Sequence, residues 1–258
     1  MTYLHFNCAM HRRVALVASL LAALSVSSCF VFGNAKEPIT AMLIPAVQPG
    51  PATDVVIVLP GIGADAKKME DHGVAEAIHK SWPQADVLLT NATFAYYVHN
   101  VVVGKLHDDV IEPARSRYQK VWLAGASVGG MGALLYERAF PREMAGIVLF
   151  APWLGDSELQ DEIRAAGGVA TWNPGPVPEK VDGDNYQREM WRVVHGWSQD
   201  PNDAQRVWMV CGKDDRLLEA NRLLATAIPG SHYVEVEGGH SWEAWLTAAE
   251  LIIAKIRA

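Results

Sequence analysis

Disulfides are not available to this chain as a framework: it carries only three cysteines. Cys8 and Cys29 fall in an N-terminal segment that reads as a leader, which leaves Cys211 alone. Cys211 sits in an apolar, strand-like run and reads as a buried filler, not a reactive thiol. A basic surface is missing as well. The formal net charge is -7 with no cluster of lysine or arginine, so nucleic acid is not an expected partner and anionic substrates gain nothing from the field. Metal-ligand spacing is absent among His72, His79, His99, His107, His195 and His232, each of which reads as a surface or internally satisfied side chain. Gly61-Ile62-Gly63 lacks both the later glycine of a dinucleotide loop and a Walker lysine. Internal repeats and low-complexity tracts are also missing.

What is present is an ordinary globular composition, 50% hydrophobic and 20% charged over 258 residues. That length suits one large α/β domain with a sizeable core. The first residues stand apart from it. His11-Arg12-Arg13 precedes an apolar run, Val14 to Val26, and no acidic residue occurs before Glu37. This is the pattern of a bacterial export signal. Val26-Ser27-Ser28-Cys29 follows and resembles the lipobox of bacterial lipoproteins, in which the cysteine is lipidated and becomes the first residue of the mature chain. Cleavage after Ala35, or retention of residues 14–32 as an anchor, are the alternative readings. All three export the protein to the cell envelope. In the lipoprotein reading, Phe30 stands where an inner-membrane retention signal would have aspartate, which points to the outer membrane or the periplasm. The expected layout is a signal at 1–28, a linker and lead-in at 29–53, and a catalytic domain at 54–258.

From Asp54 onward short apolar runs alternate with longer mixed segments. Strands are expected at Val55–Leu59, Asp86–Thr90, Val121–Ala124, Gly146–Phe150, Val207–Cys211 and Tyr233–Val236; all but the last are apolar throughout, as in a parallel sheet buried on both faces. Helices are expected around Ala66–Lys80, Val102–Tyr118, Val128–Phe140, Arg216–Ala227 and Trp242–Ile256. Strands alternating with helices imply a doubly wound, mostly parallel α/β sheet. The interval 153–206 breaks the rhythm with four tryptophans and a Gly/Pro-rich stretch. It reads as a small helical cap that lines the pocket.

Gly125-Ala126-Ser127-Val128-Gly129 fits G-x-S-x-G. The pentamer alone is weak in a chain with 21 glycines, but it follows an apolar strand and opens a helix, the setting that presents a serine on a strained turn. A serine hydroxyl needs a base, and the base needs an orienting acid. Cys211-Gly212-Lys213-Asp214-Asp215 follows one later strand, and Glu237-Gly238-Gly239-His240-Ser241-Trp242 follows the last.

From about Val55 onward the chain therefore resembles the α/β-hydrolase superfamily, esterase-like members in particular. Ala151-Pro152-Trp153-Leu154-Gly155-Asp156 and the segment from Ile163 to Gly168 resemble a group of bacterial α/β-hydrolases of unassigned substrate. The resemblance implies Ser127 as nucleophile, His240 as base and Asp215 as acid, with Asp156 in reserve. It implies an oxyanion hole from the Val128 and Ile62 N–H groups, although Pro60 stands where the superfamily usually has histidine. The expected function is cleavage of a small-molecule carboxylic ester with no cofactor. An acyltransferase using the same residues and a non-catalytic binding protein are the rivals.

Overall fold

The computed structural model describes residues 34–257. The proposed signal and Cys29 lie outside the described residues. Seven strands form one sheet in the order β1-β3-β2-β4-β5-β6-β7: β1 (Ala41–Ile44), β2 (Asp54–Leu59), β3 (Asp86–Thr90), β4 (Lys120–Ala126), β5 (Gly146–Phe150), β6 (Val207–Gly212) and β7 (Tyr233–Val236). Only β1 runs antiparallel, against β3; the other neighbours are parallel. This is the α/β-hydrolase fold.

The alternation of side chains along each strand divides the interior into two cores. Val55, Ile57 and Leu59 of β2, Ile147 and Leu149 of β5, and Met209 of β6 face one core, shared with the helix Val128–Ala139. Val56, Val58, Val148, Phe150 and Val210 face the other, shared with the helices Val74–Ser81 and Trp242–Arg257. Burial on both sides is what makes these strands apolar at every position.

Two expected helices are corrected, and two other segments gain detail. The segment 29–53, read as a lead-in, contains β1. The helix expected over Ala66–Lys80 is two helices, Ala66–Asp71 and Val74–Ser81, because Gly73 adopts a left-handed φ of 78° and ends the first. The helix expected over Val102–Tyr118 ends at Arg115 and passes through a π turn, His107–Ile111; Pro113 has no N–H to return to the carbonyl of residue 109, and the widened turn absorbs the break. The interval 153–206 holds the helices Ser157–Ala165, Tyr186–Gln199 and Pro201–Ala204. Its long helix Tyr186–Gln199 buries Met190, Trp191, Val194 and Trp197 in the core shared with Val128–Ala139. At its start Tyr186 stacks on Trp153, with ring centroids 6.1 Å apart. No helix among the described residues is long and apolar enough to cross a membrane.

Candidate active site

The site lies beyond the C-terminal ends of the parallel strands, where loops from β2, β4, β5, β6 and β7 converge. β4 ends at Ala126, and Ser127 turns the chain into the helix Val128–Ala139 with φ 53° and ψ -114°. A positive φ in a serine costs about 1–3 kcal/mol and must be imposed by its surroundings. Here β5 and its following loop impose it: Ser127 N–H donates to Phe150 O at 2.9 Å, and Trp153 N–H donates to Ser127 O at 3.0 Å. The flanking glycines are required sterically. A Cβ on Gly125 would lie 2.2 Å from Gly129 O, and one on Gly129 would lie 2.4 Å from Leu59 O.

The two N–H groups expected to serve an oxyanion are those of Val128 and Ile62. Val128 opens the helix, so its N–H has no acceptor within it and lies at the positive end of the helix dipole. Ile62 follows β2, and its side chain is 56% exposed. Among the described residues neither N–H donates to a protein acceptor. The adjoining Gly61 lies against the serine: a Cβ built on it would be 3.6 Å from Ser127 Cβ and 3.7 Å from the Trp245 ring.

Asp215 follows β6 and is buried. Its Oδ1 accepts from Leu217 N–H at 2.8 Å, and its Oδ2 lies 2.8 Å from His240 Nδ1. An ionised carboxylate only accepts, so Nδ1 carries the proton and Nε2 is left free to receive one. Asp214, the neighbouring candidate, is exposed and uses its N–H to donate to Gly238 O at 3.0 Å, tying the acid turn to the histidine turn. Asp156 is also exposed; it accepts from Gln187 Nε2 at 2.8 Å and makes no hydrogen bond to His240.

His240 adjoins an aromatic series of which the sequence motif includes only Trp242. Trp245 meets its ring edge to face, Trp242 meets Trp245 in the same way at 5.4 Å, and His72 stacks on Trp242 at 4.5 Å. The signal was the spacing of Trp242 and Trp245, which share one face of a helix beginning just after the histidine. Among the described residues no hydrogen bond runs from Ser127 Oγ to His240 Nε2; such contacts commonly tighten only with substrate in place. Burial, then the Asp215 and Glu235 charges, push the Cys211 thiol up to about 12, so it stays protonated and inert. Among the described residues no cluster of His, Cys, Asp or Glu has the makings of a metal site.

The model of a family described as putative esterase matches residues 104–257. An acetyl esterase from Caldicellulosiruptor saccharolyticus is 26% identical over 164 residues, covering 59% of this chain and 59% of that protein. The chain thus spans about three fifths of the length of the curated relative it matches. Among solved structures, an S-formylglutathione hydrolase from Staphylococcus aureus superposes with a TM-score of 0.54 at 16% identity, covering 88% of this chain and 86% of that one. Est1E from Butyrivibrio proteoclasticus superposes with a TM-score of 0.55 at 16% identity, covering 84% and 92%. At such identities the structural likeness is one of fold.

Proposed function

The chain belongs to this esterase family, and from that premise we propose that it cleaves carboxylic esters through an acyl-enzyme formed on Ser127. The observation that carries the proposal is the pairing of a serine on a φ 53° turn with a histidine whose Nδ1 is held 2.8 Å from a buried carboxylate. In the proposed sequence Ser127 Oγ attacks the ester carbonyl carbon while His240 Nε2 takes the hydroxyl proton. The Val128 and Ile62 N–H groups hold the tetrahedral oxyanion. When the anion collapses, the C–O bond to the alcohol breaks and His240 returns the proton to the departing oxygen. Water then enters, His240 takes its proton, and a second collapse releases the acid and restores Ser127. Asp215 keeps the imidazole in the tautomer that can accept, and stabilises the imidazolium.

A short acyl group is the substrate class we favour, supported by the acetyl esterase among the relatives. Export with lipidation on Cys29 completes the reading; its support is the basic start, the apolar run and the Val26-Ser27-Ser28-Cys29 pattern. The test is direct. A fluorophosphonate probe should label the wild-type protein and not Ser127→Ala, and p-nitrophenyl acetate should be turned over faster than long-chain esters. Turnover that survives in Ser127→Ala would refute the assignment.

A further inference from the structure

A buried asparagine away from the reacting atoms joins the serine turn to the acid turn. Asn221 lies in the helix Leu218–Ala225 with no exposed surface. Its Nδ2 donates twice, to Pro152 O at 3.2 Å and to Leu217 O at 2.8 Å. Both acceptors lead to the site. Leu217 N–H holds Asp215 Oδ1 at 2.8 Å, and the other oxygen of that carboxylate meets His240. Pro152 immediately precedes Trp153, whose N–H holds Ser127 O at 3.0 Å. One side-chain amide thus bridges the Pro152–Trp153 peptide, whose N–H holds Ser127 O, and Leu217, the residue whose N–H holds Asp215.

Folding gives only part of the reason for this residue: its amide satisfies the buried Pro152 carbonyl, which accepts no other hydrogen bond among the described residues. Asparagine is a weak helix former in a helix interior, and the Oδ1 atom of Asn221 is buried with no partner, which costs stability. Leu217 O is already satisfied by the Asn221 backbone N–H at 3.0 Å. A leucine of similar size would avoid the unpaired Oδ1 and suit the helix better, but would leave the Pro152 carbonyl without its donor. The chain nevertheless has an amide at the one place where it spans the two turns.

We infer that Asn221 is a positioning residue that sets the Asp215 carboxylate, and through it the His240 imidazole, relative to Ser127. The inference rests on the assignment of Ser127, His240 and Asp215 proposed above. Loss of the amide leaves the reacting groups intact and lets the acid turn drift from the serine turn. A drift on the scale of an ångström costs up to roughly 100-fold in turnover, and a residue acting through the carboxylate is expected to change kcat more than KM.

The experiment is a double-mutant cycle on the full chain, reading kcat, KM and melting temperature for wild type, Asn221→Leu, Asp215→Asn and the double variant. Asn221→Leu is expected to lower kcat roughly 10- to 100-fold, with KM within about twofold and the melting temperature roughly 2–8 °C lower because the Pro152 carbonyl loses its donor. In the Asp215→Asn background the same change should add nothing, because a residue acting through a carboxylate has no effect once the carboxylate is gone. Should Asn221→Leu fail to fold, Asn221→Ala removes the same amide and keeps a strong helix former. Unchanged kcat, an effect confined to KM, or an equal loss in both backgrounds would overturn the inference while the Ser127 assignment stands. Turnover that survives Ser127→Ala would remove both.

Discussion

Trp245 meets His240 edge to face, with ring centroids 4.9 Å apart and planes at 86°. The same indole lies beside Gly61, so one side chain touches both the histidine and the loop that offers the Ile62 N–H. Its Nε1 is buried with no partner, so what it supplies is ring surface.

Removing that surface should therefore matter more than removing the indole nitrogen. Trp245→Phe is expected to keep most of kcat, since an aromatic ring still meets His240. Trp245→Ala should lower kcat by an order of magnitude or more and lower the melting temperature, the aromatic contact alone contributing about 0.5–1.5 kcal/mol. Steady-state kinetics and thermal melts on the two variants check this; equal activity in both would mean that the ring does not seat the histidine.

The three acidic candidates should separate cleanly. Asp215→Asn is expected to slow turnover by several powers of ten, up to about 10⁴, because the amide favours the wrong imidazole tautomer. Asp214→Asn and Asp156→Asn should cost less than about tenfold, since neither carboxylate hydrogen-bonds to His240. If Asp156→Asn is the most damaging of the three, the acid has been wrongly assigned.

One stability effect should depend on pH in a known direction. Two Arg188 nitrogens donate to Glu162, at 2.9 and 2.7 Å, and Trp172 Nε1 donates to it at 2.8 Å. The Arg188 hydrogen bond, followed by that from Trp172, lowers the Glu162 carboxyl from 4.5 to about 2. A carboxyl lowered in the folded state stabilises fully above its unfolded value, and that contribution is lost as the pH falls through the folded one. The melting-temperature gap between wild type and Glu162→Gln should be constant above about pH 5 and close between pH 4.5 and 2. Because Glu162 is 46% exposed, the gap should be small, no more than about 2–4 °C. A gap unchanged down to pH 2 would contradict the ion pair.

Anchoring has its own test. Cys29→Ser should abolish incorporation of a labelled fatty acid and move the protein out of the membrane fraction, since lipid transfer requires the thiol. Unchanged labelling would rule out the lipobox.

Much of this was legible in the sequence because the chemistry of parallel strands is local. Asp86–Thr90, Gly146–Phe150 and Tyr233–Val236 begin and end where their residues change character. β1 was not legible: four residues with alternating partial exposure and pairing on one side only carry too little pattern to distinguish an edge strand from a lead-in. The acid turn gave Asp215 by its offset from Gly212, a short-range signal. Asn221 gave no signal at all, because its partner Pro152 is 69 residues away in the chain and only the register of β5 beside β6 brings them together.

The hold that β5 keeps on Ser127 also sets how the turn opens. The Ser127 amide belongs to a hydrogen bond that reaches across to Phe150, so deuterium can replace its proton only when β4 and β5 separate, an event close to global unfolding. The Val128 amide next to it has no protein acceptor and exchanges without any such opening. Two consecutive amides thus sit at opposite ends of the stability scale. The Ser127 backbone is as protected as the core, while the N–H beside it stays open to exchange.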